Sequence, residues 1–244
     1  MKRERLLERT AAVGIVIPVH NEQDLLDDAL EALGESLHDV REFAIACEVV
    51  IVLDACADHS ARRVADWQRH RARSGNVRIS RLTCDARNVG VARGLGCAAV
   101  LDKLHGVDPS LVWLATTDAD SRVPRRWLRA QLLQHETGCD VWAGRVRVTD
   151  WSLHRRILQA RWQHDYESEH QPIHGANLGF NAGVYLAAGG FPPLRSGEDR
   201  ALVRSMAALG ADCCFDDSLR VATSARRIAR APHGFSHALN LIEG

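Results

Sequence analysis

The sequence predicts an α/β protein with a doubly wound, mostly parallel sheet and helices on both faces. Three observations carry this expectation. Short runs rich in β-branched residues alternate with longer segments of helical periodicity. Four strand–helix pairs follow one another before the rhythm changes near residue 138. The strand segments are nearly continuous apolar runs, as expected of strands covered on both faces. A chain of 244 residues, 46% of them hydrophobic, is long enough for a sizeable core.

The elements follow in order. Val13 to Val19 reads as the first strand, and Asp24 to Leu33 as a helix with Leu25, Leu26, Ala29, Leu30 and Leu33 on one side. Glu48 to Leu53 is the second strand and Ser60 to Arg71 the second helix. Asn76 to Leu82 and Val91 to Leu104 form the third pair. Ser110 to Ala115 and Pro124 to His135 form the fourth, with Pro124 suited to a first helical turn. Then come a strand over Asp140 to Val148, a long helix over Trp151 to Glu169 and a Gly/Asn-rich stretch over Gly175 to Ala182. A helix over Glu198 to Leu209, short strands over Cys213 to Phe215 and Leu219 to Thr223, and a basic tail complete the chain. Without an internal repeat or a Pro/Gly/Ser linker, residues 1–244 are expected to form one domain.

Composition removes several function classes. With 31 basic and 31 acidic side chains, the chain lacks the basic excess of a dedicated nucleic-acid binder. It has no run of about 20 apolar residues, so no integral membrane segment is expected. The apolar stretch Ala11 to Val19 is interrupted by Pro18 and ended by His20, Asn21 and Glu22, which suits a buried strand better than a cleaved leader. Seven cysteines without CxxC spacing fit reduced thiols of a cytoplasmic protein.

Open α/β sheets bind ligands beyond the carboxyl ends of their strands. Strand one ends in Pro18, His20, Asn21 and Glu22, and strand two in Asp54 with Asp58 beyond it. Strand three leads to Asp85, Arg87, Asn88 and Gly90, and strand four to Thr116, Thr117, Asp118 and Asp120. Four successive strand ends thus bring polar groups to one edge, which packing alone does not explain. Asp118 and Asp120, one residue apart after a buried strand, offer hard oxygen ligands suited to Mg²⁺ or Mn²⁺; a solvated turn is the plain alternative. Glu198 and Asp199 open a helix, where the dipole favours carboxylates; Asp199 is equally placed to act as a general base. His233, in APHGF, is a candidate to close a metal or phosphate site. GxGxxG, GxxxxGK[ST] and GxSxG are absent, which weighs against dehydrogenase, P-loop and α/β-hydrolase chemistry.

VIPVHNEQDLL, VVIVLDACADHS, ARNVGVARGLG, WLATTDADSRVPRRWL, GANLGF and GEDRAL occur in the order found in family-2 glycosyltransferases of the GT-A fold, which the chain resembles from about residue 13 to 204. The resemblance implies an inverting transferase that uses a nucleoside-diphosphate sugar, with UDP-sugars favoured, and a divalent metal, Mn²⁺ or Mg²⁺. About 11–137 would bind the nucleotide-sugar, about 138–224 the acceptor, and 225–244 would form a tail. Pro18, Asn21 and Glu22 would border the nucleoside and Asp54 would accept a hydrogen bond from the base. Arg87, Asn88, Gly90 and Arg93 would flank base and diphosphate. Asp118 would meet ribose or metal, Asp120 would bind the metal, and His233 would add a late ligand. Gly175, Ala176 and Asn177 would lie near the transferred sugar, with Asp199 as the catalytic base beside Glu198. Ala55 stands where many relatives carry a second acid. The chain lacks QxxRW and the hydrophobic C-terminal helices of processive membrane synthases, so a soluble enzyme adding one sugar to a hydroxyl acceptor is expected.

Two other readings use the same residues. A sugar-1-phosphate nucleotidyltransferase would carry a Gly-rich basic loop after strand one, where HNEQDLL stands. A non-catalytic sugar or nucleotide-binding module would have no need to keep Asp54, Asp118, Asp120 and Asp199 together.

Overall fold

The computed structural model describes residues 7–71, 75–149, 151, 159–160, 164, 166–167 and 171–224. Among the described residues, seven strands form one sheet: β1 (Ala12–Val19), β2 (Ala46–Asp54), β3 (Val77–Cys84), β4 (Val112–Thr116), β5 (Val141–Val148), β6 (Leu178–Asn181) and β7 (Cys213–Thr223). Their order across the sheet is β3-β2-β1-β4-β6-β5-β7. The helices are α1 (Leu26–Asp39), α2 (Ser60–Arg71), α3 (Val89–Lys103), α4 (Trp127–Glu136), α5 (Ala182–Ala187) and α6 (Glu198–Ala208). No helix among the described residues is long and apolar enough to cross a membrane.

Side-chain alternation along β1 divides the core. Val13, Ile15, Ile17 and Val19 pack with Leu26, Leu30 and Leu33 of α1, Val64 of α2 and Trp127 and Leu128 of α4. Ala12 and Val16 face the opposite side, with Ala92, Cys97 and Val100 of α3 and Leu202, Val203 and Met206 of α6. The continuous apolar run of β1 therefore reflects burial on both faces. Gly14, also on β1, lets α3 approach closely: a Cβ there would overlap Val100 and lie 2.7 Å from Leu114 Cδ2.

β2, β1, β4 and β3 are parallel neighbours, as expected from the βα rhythm. The second half departs from that rhythm. β6 runs antiparallel to both β4 and β5, so its first residue, Leu178, lies opposite Thr116 at the carboxyl end of β4. The turn before β6 is thereby delivered to the same edge as the loops after β1, β2 and β3. The two short strands expected near the end are one strand, β7, parallel to β5 with a register shift between Gly144 and Val146. Asp217 to Arg220 bulge out there opposite Arg145. The interruption in apolar pattern over Asp216–Ser218 is this bulge rather than a chain reversal.

Other boundaries move for local reasons. α1 continues to Asp39 because Ser36 and Leu37 are also buried. Pro124 lies in a turn before α4, where its carbonyl accepts from Trp127 N at 2.9 Å. The expected helix over Trp151 to Glu169 falls largely outside the described residues, as does the tail from 225. All seven cysteines are free thiols, with Cys47, Cys97 and Cys139 buried.

Gly14→Ala is expected to destabilise the fold by about 1–3 kcal/mol, because an added methyl must displace Val100 and Leu114. Urea unfolding of the variant checks this, and an unchanged midpoint would contradict the close β1–α3 approach.

Candidate active site

The loops after the first three strands are tied together by their own polar groups. Among the described residues, three of the four non-glycine residues with left-handed backbone fall here, one per loop: Asn21 (φ 55°), Ala55 (φ 50°) and Arg87 (φ 47°). Such conformations cost of order 1–3 kcal/mol each and persist where neighbours fix them. Asn21 Oδ1 accepts from Ala57 N at 2.8 Å. Asp58 accepts from Gln23 N and Ser60 N at 3.0 and 2.9 Å, joining the first loop to the start of α2. Glu22, 8% exposed, donates its own N–H to Ser60 Oγ at 2.8 Å. Pro18 is half-buried beside them on β1.

Asp54 organises the third loop. Its Oδ1 accepts from Ala86 N and Arg87 N at 2.7 and 2.9 Å, and Oδ2 from Asn88 N at 3.0 Å. Cys84 Sγ lies 3.5 Å from the same Oδ1. With Asp54 4% exposed, these amides hold the carboxylate to which the resemblance gives a hydrogen bond from the base. Asn88 caps α3, its Oδ1 accepting from Val91 N at 3.1 Å. Its Nδ2 donates to Pro193 O at 3.0 Å, and Gly90 N donates to Leu194 O at 3.2 Å. The loop before α6 thus covers Asn88 and Gly90, while Arg87 remains exposed.

The two halves of the sheet meet at Arg93. This α3 residue is 3% exposed. It donates through one terminal nitrogen to Glu198 and through the other to Asp118 Oδ1 at 2.5 Å. The guanidinium lies 6.0 Å from the Phe191 ring centroid, and a Cβ on Gly175 would overlap it. Gly175 is the next link: its N–H donates to Asp199 Oδ2 at 2.7 Å, and its carbonyl accepts from Thr116 Oγ1 at 2.6 Å. Arg93, Asp118, Gly175, Glu198 and Asp199 therefore converge, and Asp120 follows on the same loop, accepting from Ser121 Oγ at 3.1 Å. Burial raises the Asp118 carboxyl above its ordinary range, Arg93 opposes this, and the Asp120 and Asp199 carboxylates add to it.

Three of the expected site residues are buried in the protein. Glu198, expected beside Asp199 as a catalytic carboxylate, is 3% exposed and turned inward onto Arg93. Asn177, expected near the transferred sugar, is fully buried. Its Oδ1 accepts from Trp127 Nε1 at 2.8 Å, and its Nδ2 donates to Arg145 O and Leu219 O at 2.7 and 3.0 Å. Ala176 is also buried. Of that segment, Gly175 alone touches the charged cluster, and His233 lies outside the described residues.

His174 was missed from sequence, although it adjoins Gly175. Its Nε2 lies 3.0 Å from Tyr166 Oη. Burial lowers its pKa to about 4; Asp199 pulls it up, and Arg200 and Arg145 push it down. Among the described residues no group of three or more His, Cys, Asp or Glu side chains gathers to hold a metal.

The sequence matches glycosyl transferase family 2 over residues 14–188, and the chain belongs to that family. Its seven-stranded sheet is the GT-A arrangement seen in solved members. The mannosyltransferase PcManGT from Pyrobaculum calidifontis, in complex with GDP-Man and Mn²⁺, is 17% identical with a TM-score of 0.66, covering 99% of this chain and 64% of that one. S. aureus TarS 1-349 with UDP is 14% identical with a TM-score of 0.61, covering 88% and 61%. Glucosyl-3-phosphoglycerate synthase from Mycobacterium tuberculosis, with Mn²⁺, UDP and phosphoglyceric acid, is 16% identical with a TM-score of 0.57, covering 89% and 72%. The chain thus spans less than two thirds of TarS 1-349 and of the mannosyltransferase, and these likenesses are of fold. Curated protein sequences give no match.

Between pH 6.5 and 4 the unfolded chain binds a proton at His174 that the folded chain does not. Stability is therefore expected to fall as pH drops through this window. His174→Gln should flatten that part of the slope in urea unfolding measured across pH. An unchanged slope would contradict an imidazole held neutral in the folded chain.

Proposed function

We propose that the chain transfers one sugar, with inversion, from a nucleoside-diphosphate sugar to a hydroxyl of an acceptor, with Asp199 as general base. The observation that carries this reading is the convergence of Asp118 and Asp199 on one hub, Arg93 and Gly175, at the carboxyl edge of the sheet. The first three loops border the donor nucleotide, and Asp199 faces the acceptor side.

Asp118 and Asp120 fit a divalent cation. Both are hard oxygen donors on one loop, and their mutual repulsion contributes to the raised pKa of Asp118, which a cation would relieve. Asp118 and Asp120 would hold Mn²⁺ or Mg²⁺ there, which when bound would supply neutralising charge for a departing diphosphate. The chain's own residues do the rest. Asp199, half-buried, takes the acceptor proton as the hydroxyl oxygen attacks the anomeric carbon opposite the leaving group. The Gly175 N–H, donating to Asp199 Oδ2, fixes the orientation of that carboxylate. Arg93 holds Asp118 and, through Glu198, the first turn of α6. Asp54 takes three backbone donors and so orders the nucleotide loop, and its remaining acceptor capacity is left for a hydrogen bond from the base, with UDP-sugars favoured.

Thermal-shift measurements with UDP, GDP, dTDP and CDP, with and without Mn²⁺, test the donor assignment, because a ligand of the native state raises its apparent stability. One nucleotide should stabilise the protein in a metal-dependent way, and Asp120→Ala should abolish the metal dependence. With that donor class, Asp199→Asn should lower transfer by about 10²–10⁴-fold while nucleotide binding survives. Full activity in Asp199→Asn would remove the base from this residue. Nucleotide binding by the wild type with neither transfer nor hydrolysis would favour a binding module.

A further inference from the structure

The peptide between His174 and Gly175 is held at both ends. Its N–H donates to Asp199 Oδ2 at 2.7 Å, and its carbonyl, that of His174, accepts from Asn177 N at 2.9 Å. The His174 ring extends the hold outward: Nε2 lies 3.0 Å from Tyr166 Oη, with ring centroids 5.5 Å apart. Tyr166, 6% exposed, is itself anchored to β5, accepting from Val146 N at 2.9 Å through Oη. Its backbone carbonyl accepts from Arg145 Nη1 at 2.8 Å, and that guanidinium sits 5.3 Å from its ring centroid. Arg145 in turn donates to Asp217, in the β7 bulge.

We propose that Tyr166 and His174 form a positioning pair that transmits the rigidity of β5 to the candidate base, fixing the peptide whose N–H holds Asp199. This rests on the reading of Asp199 as that base. The hydrogen-bond directions set the state of the ring. The Val146 amide proton enters Oη; in the proposed pair the phenol donates its own proton to His174 Nε2, so that the neutral imidazole carries its proton on Nδ1. Asp199 and Arg200 of α6 and Arg145 of β5 are the charged groups acting on the ring, and burial keeps it neutral above about pH 4. A neutral ring places no competing cation beside the base, so the pair orients the carboxylate without changing its charge. Neither Tyr166 nor His174 takes part in bond making.

The test uses the full chain, and its exchange and chemical-shift measurements need no substrate. In Tyr166→Phe, hydrogen exchange at the Gly175 amide should speed up by about tenfold or more while amides of β2 keep their protection, since local opening is separable from global unfolding. The nitrogen chemical shifts of His174 should show the Nδ1–H tautomer in the wild type and its loss in the variant. His174→Gln, which keeps an acceptor for the phenol, should protect Gly175 better than His174→Ala. In transfer assays Tyr166→Phe should lower kcat and leave the donor KM unchanged. Unchanged Gly175 exchange and an unchanged tautomer in Tyr166→Phe would overturn the positioning pair. Failure of the wild type to turn over any nucleotide-sugar would instead overturn the base assignment, so the two failures are separable.

Discussion

A buried guanidinium is costly to desolvate, and a buried carboxylate more so when it stands alone. Arg93 and Glu198, each about 4% exposed in their side chains, answer one another's charge inside the protein. Arg93 also reaches Asp118, whose side chain is 35% exposed. This bridge spans the sheet's two sections: α3 follows the parallel strands, and Glu198 opens the last described helix. Arg93 can occupy its position only because Gly175 has no side chain. Its Nε has no hydrogen-bond partner among the described residues, so the bridge stands on two terminal nitrogens. Remove the charge, and two carboxylates lose their partner while α6 loses the anchor of its first turn.

From this bridge the rest of the site follows. With Glu198 held inward, the next residue on the helix, Asp199, is left half-buried and within reach of the Gly175 amide. Thr116, at the end of β4, holds the Gly175 carbonyl, so the strand that leads to Asp118 also supports the peptide that orients Asp199. The antiparallel insertion of β6 makes this possible, since it brings its leading turn back to the edge where β4 ends. The donor-side loops are built on a different device. Three left-handed residues and a carboxylate bound by three amides make them rigid by local hydrogen bonding rather than by buried charge.

Much of the parallel half was legible in the sequence, because β1, β2 and β4 are apolar runs whose pattern follows directly from burial on both faces. The ordered motifs also include Asp118 and Asp199, which the structure links through Arg93 and Gly175. What could not be read was which way polar residues face. Glu198 and Asp199 are adjacent and chemically alike, yet one closes a buried ion pair with a residue 105 positions earlier and the other does not. Asn177 looks like a ligand contact in a Gly/Asn-rich turn, but it satisfies Trp127 and two carbonyls inside the core. β6 has four residues, too few for periodicity to declare its direction. His174 carried one signal, its place beside Gly175, and its importance depends on Tyr166 and Asp199, which sequence does not bring together.

The most direct test of this account is a double-mutant cycle between Arg93 and Glu198, followed by urea unfolding of Arg93→Met, Glu198→Met and the double variant. Each single change leaves a buried charge without its partner and should cost about 3–5 kcal/mol. The double variant should be more stable than the sum of the two losses allows by at least about 1 kcal/mol. Strict additivity of the two changes would show that the pair is not coupled, and would contradict a site organised around Arg93.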